Sequence, residues 1–286
     1  MEYVTLRNGV KMPILGYGVF QITKDACEQC VADAISLGYR SIDTAQSYFN
    51  EAQVGSAIAN CGVPREEFFL TTKVWIEHYG YEAARRSVLE SMDKLQTDYL
   101  DLVLLHQPFS DYYGAYRALE DLYDEGKLRA IGVSNFYPDR LVDLASFSRI
   151  KPMVNQIETH PLNQQCDAKK WLDRYGVQQE AWAPFGEGRG GLFAHPVLSE
   201  IAQKHHKTVA QVILRWHIQK GVVAIPKSTH KERMAENLQV FDFTLDEGDM
   251  RSISTLDQKQ SVFFPHNTPE TIEQFVRMID ERRNRN

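Results

Sequence analysis

Short apolar runs alternate with amphipathic stretches from residue 13 to residue 238. The apolar runs are PILGYG, RSIDT, FFLTTKV, DLVLLHQ, LRAIGVSN, MVNQIE, VQQEAWAPF and GVVAIPKS. They are too short for typical helices, so they predict strands, and DLVLLHQ predicts a strand buried on both faces. Between them, apolar residues recur at helical spacing over residues 25–37, 51–60, 81–95, 113–124, 138–147, 167–175, 196–205, 208–219 and 231–238. In 81–95 the apolar face is Ala83, Val88, Met92 and Leu95. Ahead of the first run, Asn8-Gly9 divides VTLRNGVKMP as a hairpin turn would. Beyond Asp257 the periodicity fades until a last helix-like turn, and Phe263-Phe264-Pro265-His266 reads as a loop laid over something.

Eight strand–helix units in succession mean parallel strands with right-handed crossovers. In a chain of 286 residues they favour a closed α/β (β/α)8 (TIM) barrel over a doubly wound sheet. The expected architecture is that barrel with an N-terminal β-hairpin and extra helices, residues 1–286 making a single domain.

Composition narrows the class. The chain is 43% hydrophobic and 24% charged, as globular proteins are, and its net charge of −6 argues against a nucleic-acid partner. No apolar run is long enough to span a bilayer, and MEYVTLRNGVKMP has no signal-peptide core, so a soluble, cytoplasmic protein is expected. Cys27 and Cys30 form a C-x-x-C within a helical stretch but lack a partner pair, so they read as ordinary reduced thiols. His205-His206 and His160-Pro161 lack a third ligand at useful spacing, and no metal site is expected.

Parallel barrels keep their chemistry at the C-terminal ends of the strands. Polar residues stand there repeatedly: Asp43 and Tyr48, Lys73, His106, Ser134 and Asn135, Asn155, Gln156 and Glu158, Trp182, then Lys227 and Ser228. A tyrosine is a poor acid at its ordinary pKa near 10. A neighbouring lysine ammonium favours the phenolate, and a buried lysine needs a counter-ion such as Asp43. Asp43, Tyr48, Lys73 and His106 together would make a tuned proton donor for a carbonyl. The plainer alternative is a structural ion pair beside a core tyrosine and a capping histidine.

The segments IDTAQSYFNE, TTKVW, LLHQP, GVSNF, NQIE, IPKS and RMAENLQVFDF together resemble the aldo-keto reductases over nearly the whole chain. They are similar in particular to bacterial 2,5-diketo-D-gluconate and small-dicarbonyl (glyoxal, methylglyoxal) reductases. The resemblance implies a barrel that binds NADPH (NADP+) in extended form, without metal, and reduces aldehydes and ketones to alcohols. Tyr48 would be the general acid, Lys73 and Asp43 would tune it, and His106 would position the substrate. Ser134, Asn135 and Gln156 match residues that hold the nicotinamide carboxamide, and Trp182 the aromatic that stacks on the ring. Lys227, Ser228 and Arg233 match the clamp on the 2′-phosphate, and Glu236 and Asn237 the adenine contacts. Phe20, Trp75 and Phe109 are candidate walls of the substrate pocket, Gln107 stands where tryptophan is frequent, and the C-terminal substrate loop looks short. The partner implied is a small carbonyl compound, met by a monomer. A nicotinamide-binding regulatory or sensor protein on the same barrel is the alternative. GEGRGG, residues 186–191, matches G-x-G-x-x-G but lacks an acidic residue about 20 positions on, so it is expected to be a mobile loop over the cofactor rather than a Rossmann fingerprint.

Overall fold

The computed structural model describes residues 1–283. A hairpin of β1 (Tyr3–Thr5) and β2 (Lys11–Pro13) opens the chain in antiparallel register, Val4 opposite Met12. Gly9, at φ +87°, makes the turn, and Val10 N donates to Asn8 Oδ1. The hairpin lies at the N-terminal ends of the barrel strands, where Asn8 Nδ2 donates to the Arg129 carbonyl.

Eight parallel strands follow: β3 (Tyr17–Gly18), β4 (Ser41–Asp43), β5 (Phe69–Val74), β6 (Leu102–Leu105), β7 (Ile131–Ser134), β8 (Val154–Glu158), β9 (Gln178–Trp182) and β10 (Val223–Ala224). Their spatial order is their sequence order. The ring closes between its ends: Ala224 N donates to the Ile14 carbonyl at 3.0 Å, and Gly16 N to the Ala224 carbonyl at 2.9 Å. Every residue of β5, β6, β7 and β8 is buried, as strands faced on both sides by packing must be.

The helices between strands are α1 (Lys24–Leu37), α2 (Glu51–Asn60), α3 (Tyr81–Lys94), α4 (Tyr112–Asp124), α5 (Pro138–Phe147) and α6 (Cys166–Tyr175). α7 (Pro196–Lys204) and α8 (Val209–Gln219) both precede β10, and α9 (Lys231–Leu238) follows it. Each buries one stripe. In α4 that stripe includes Ala115, Leu119 and Leu122, and a buried leucine of this kind contributes about 1.5–3 kcal/mol. In α3 the inner face runs through Ala84, Val88 and Met92, one position from the expected Ala83, which is only half-buried.

The C-terminal segment carries more structure than its weak periodicity suggests. α10 (Glu247–Ser254) starts in a capping box between Asp246 and Asp249, and α11 (Pro269–Arg283) is a 15-residue helix. α11 carries an apolar stripe of Ile272, Phe275, Val276 and Ile279, of which Ile272 and Val276 stay exposed, and Thr268, whose Oγ1 accepts from Thr271 N, and Pro269 mark its start.

Cys27 is fully buried on α1, and burial with the neighbouring Cys30 pushes its thiol up to about 12, the opposite of a reactive thiolate. No group of three or more potential ligands is placed to hold a metal among the described residues, and no helix there is long and apolar enough to cross a membrane.

Candidate active site

The loop after β4 builds the centre. Ile42 is buried on β4, and Asp43 ends the strand with 2% exposure. The chain then turns through a single 3-10 turn, Gln46–Tyr48. Gln46 pins that turn: its Nε2 donates to the Ser87 carbonyl and to Ser91 Oγ on α3, and its Oε1 accepts from Trp75 N. Thr44 Oγ1 donates to Asn50 Oδ1, and Asn50 Nδ2 donates to the Val19 carbonyl. The Tyr48 phenol is therefore presented on a loop tied to three elements.

Lys73, from β5, is wholly buried, and its Nζ donates to Asp43 Oδ1 at 2.5 Å, to the Thr44 carbonyl at 3.0 Å and to Tyr48 Oη at 3.4 Å. His106, just past β6, sets its ring 5.7 Å from that of Tyr48 at 75°. The structure thus gathers all four residues of the expected tetrad.

The electrostatics differ from the sequence expectation in one respect. Burial pushes the Tyr48 phenol up; the Lys73 ammonium pulls it back, and the net direction is still upward. Burial pushes the Lys73 ammonium down, but Asp43 and Tyr48 outweigh it and the ammonium stays charged. Burial, then Lys73 and His266, hold the His106 imidazole well below its usual range, so it is neutral. Ser47 Oγ lies 3.4 Å from His106 Nδ1, and a hydroxyl donating there leaves the ring proton on Nε2.

The strand ends beyond β6 form one network. Gln156 Nε2 donates to Asp43 Oδ2 at 2.8 Å and to Glu180 Oε2 at 2.9 Å. Ser134 Oγ donates to the Gln156 carbonyl. Asn135, in the left-handed region at φ +63°, donates from Nδ2 to the His106 carbonyl and to Ser134 Oγ. Its Oδ1 accepts from Trp182 Nε1 at 2.9 Å. Asn155 turns away, its Nδ2 donating to the Phe136 carbonyl, and Glu158 pairs with His160 and accepts from Val262 N, so neither joins the centre.

A cavity of about 1430 Å³ runs from this centre to the start of α9. Lys227, Ser228, Arg233, Glu236 and Asn237 line its far end. Ser228 Oγ accepts from His230 N at that helix start. No ion pair engages Lys227 or Arg233 among the described residues, although Lys231 beside them is paired with Asp33. Two uncommitted cations next to a helix N-terminus suit a phosphate. Glu236 is already held by Thr208 Oγ1, while the buried Asn237 side chain makes no hydrogen bond among the described residues. Of the candidate pocket walls, Phe20 is 47% exposed and packs on Tyr48 at 4.9 Å, and Trp75 is buried with its ring 5.1 Å from that of His106. Phe109 touches Phe275 of α11.

Two residues escaped the sequence reading. Glu180 is fully buried inside β9, and burial together with the Asp43 charge raises its carboxyl to about 8. His266 is buried on the C-terminal segment, and burial lowers it to about 4. A glutamate within the apolar run VQQEAWAPF was the one signal for the first; the second lay in the Phe263–His266 stretch expected to fold over something, with no mark that it would face the site.

The GEGRGG segment belongs to an irregular 3-10 stretch, Gly186–Ala194, with positive φ at Glu187, Gly188, Gly190 and Gly191. Arg189 lies 4.5 Å over the Phe263 ring. It does not lead directly into a helix N-terminus, so a Rossmann reading is excluded.

The sequence profile of the Aldo/keto reductase family matches residues 14–258. Glyoxal reductase of Bacillus subtilis (strain 168) is 49% identical over 263 residues, 91% of this chain and 95% of that protein. Methylglyoxal reductase DkgA of Escherichia coli (strain K12) is 41% identical, covering 89% of this chain and 93% of that protein. Among solved structures, a mutant of Gox0644 in complex with NADPH superposes with a TM-score of 0.88 at 37% identity, over 93% of this chain and 98% of that one. The chain belongs to the aldo/keto reductase family and is an oxidoreductase acting on carbonyl groups.

Proposed function

We propose that the protein, a single domain acting as a monomer, reduces small aldehydes and ketones with NADPH, dicarbonyls and keto sugars among them. The observation that carries this reading is the Tyr48 phenol, 3.4 Å from the buried Lys73 ammonium, at one end of a cavity whose other end holds unpaired Lys227 and Arg233. Bound NADPH supplies the hydride.

The residues do the rest. Tyr48 gives its proton to the developing alkoxide. Its raised pKa keeps that proton in place at neutral pH, and the Lys73 ammonium, fixed by Asp43, stabilises the phenolate left behind. Neutral His106 donates from Nε2 to the same oxygen, which orients the carbonyl. Both Gln156 Nε2 protons are committed, to the Asp43 carboxylate and the Glu180 carboxyl group, so its Oε1 is the atom left to accept from a carboxamide. Asn135 is fully engaged and orients Trp182, which forms the wall against the nicotinamide. Lys227, Ser228 and Arg233 clamp the 2′-phosphate, with Glu236 and Asn237 beside the adenine.

The test is a panel of aldehydes, ketones and dicarbonyls assayed with NADPH and NADH in parallel, on wild type and Tyr48→Phe. The reading expects NADPH-preferring turnover that falls about 10²–10⁴-fold in the variant with cofactor affinity little changed. NADPH binding without turnover of any carbonyl would return the sensor alternative.

A further inference from the structure

Two buried carboxyl groups share one amide, and one ammonium stands on only one side of it. Gln156 Nε2 donates to Asp43 Oδ2 and to Glu180 Oε2. Lys73 spends its three protons on Asp43, the Thr44 carbonyl and Tyr48, and none reaches Glu180. Glu180 is fully buried, and its Oε1 has no hydrogen-bond partner among the described residues. A carboxyl so poorly provided for as an anion keeps its proton. Asp43 has the ammonium, and Glu180 holds its proton to about 8.

Few charges act on Glu180. They are Asp43 from β4, Tyr48 from the loop after it and Lys73 from β5. β8 faces it with the Gln156 amide, and β10 sets Val223 beside it. α6, packed behind β9, buries only Ala168 and Leu172, and His217 of α8 turns to the Pro184 backbone.

NADPH and NADP+ carry the same phosphates and differ by one charge, on the nicotinamide ring. In the cofactor placement proposed above, that charge reaches Glu180 by two routes. Trp182, the wall against the ring, stands two residues beyond Glu180 on β9, on the same face and about 6.6 Å along the strand. Gln156, whose Oε1 accepts from the carboxamide, holds Glu180 through its Nε2. A positive charge favours the ionised carboxyl. A carboxamide on a cationic ring also donates more strongly, which polarises the Gln156 amide toward Glu180.

We propose that Glu180 is a positioning residue that links one proton to the redox state of the cofactor: it releases the proton when the cationic nicotinamide of NADP+ binds and keeps it when NADPH binds. The proton passes to solvent and leaves a carboxylate beside the cationic ring. The link is reciprocal, so NADP+ gains affinity relative to NADPH as pH rises. The proposal rests on the cofactor placement given above and on no particular carbonyl.

The experiment titrates NADP+ and NADPH into wild type and Glu180→Gln between pH 6 and pH 9, following protein fluorescence. Calorimetry at pH 8, in two buffers of different ionisation enthalpy, counts the protons released. In wild type the ratio of the NADP+ Kd to the NADPH Kd is expected to fall at least about threefold across this range, as half a pKa unit of coupling requires. More protons should leave with NADP+ than with NADPH. In Glu180→Gln the ratio should stay flat and the two proton counts should agree, which a purely structural role would not produce. A difference that survives the substitution puts the proton on another group and overturns the proposal. Should the variant not fold, infrared difference spectra of wild type decide: the band of a protonated carboxyl should vanish with NADP+ and persist with NADPH, and the same spectrum with both refutes the link. Binding of both cofactors with equal proton counts sinks this inference alone. Binding of neither overturns the cofactor placement and this inference with it.

Discussion

Glu180 shares the Gln156 amide with Asp43, and the three ionisable groups Asp43, Lys73 and Glu180 lie within one buried patch. One ammonium can balance one carboxylate there, and Asp43 is the one in contact. Glu180 therefore holds its proton to about 8. Its folded pKa is raised, so the folded state binds a proton that the unfolded state releases above about 4.5. Stability is then lost as pH rises from about 4.5 to about 8, at up to about 1.4 kcal/mol per pKa unit. Glu180→Gln keeps the neutral shape and removes that loss. Urea unfolding at pH 5 and pH 9 should show the wild type losing more stability than the variant between the two, and parallel losses would refute the assignment. Arg233 makes a second residue-scale case. Having no ion pair of its own among the described residues, it is free for a phosphate, so Arg233→Ala should raise the Kd for NADPH about tenfold or more while NADH moves little. That effect corresponds to one charge-assisted contact of about 1.5–3 kcal/mol. At this scale the tetrad was legible because a strand-end acid, phenol, lysine and histidine have no cheap burial apart from one another. Glu180 was not, since a single glutamate in a strand reads as facing solvent.

The elements meet with little slack where α2 crosses the end of α3. A Cβ on Gly55 would lie 2.5 Å from the Lys94 carbonyl oxygen and 2.7 Å from Leu95 Cα, both backbone. Neither can rotate away. Gly55→Ala should cost about 1–3 kcal/mol through displaced helices, visible as a lower thermal midpoint. Because α2 begins at Glu51, just past Tyr48, the substitution should also depress turnover more than cofactor binding. A variant as stable as wild type would show that the two helices slide apart freely. Boundary signals explain what was readable among the elements. Period and apolar runs marked the eight strands and the helices between them. α10 is short and its clearest local mark was the Asp246/Asp249 box, while α11 was marked by Thr268-Pro269 and by an apolar stripe that leaves Ile272 and Val276 exposed. Closure of the sheet between Ile14 and Ala224 joins residues far apart in sequence, a pairing that no local pattern carries.

Across the whole molecule, buried groups of opposite kind set opposing slopes with pH. Burial holds His106, His217 and His266 neutral, His217 at about 3 and His266 at about 4, against an ordinary value of 6.5. Their folded pKa values are depressed, so the unfolded chain takes up protons that the fold refuses, and stability falls as pH drops from 6.5 toward 4. Glu180 works the other way, between about 4.5 and about 8. Below 6.5 three imidazoles outweigh one carboxyl, so stability rises with pH; above it only Glu180 remains of these groups, and stability declines. The thermal midpoint should therefore peak near pH 6.5, with the acid side steeper than the alkaline side. His266 also packs its ring against Phe264 and Trp182, so its protonation should loosen the C-terminal segment before the barrel unfolds. Phe264 and Phe275 would then lose contact first, and hydrogen exchange in α11 should accelerate between pH 6 and pH 4 ahead of exchange in β5 and β6. Simultaneous loss of protection in all three would place the acid-sensitive groups in the barrel alone.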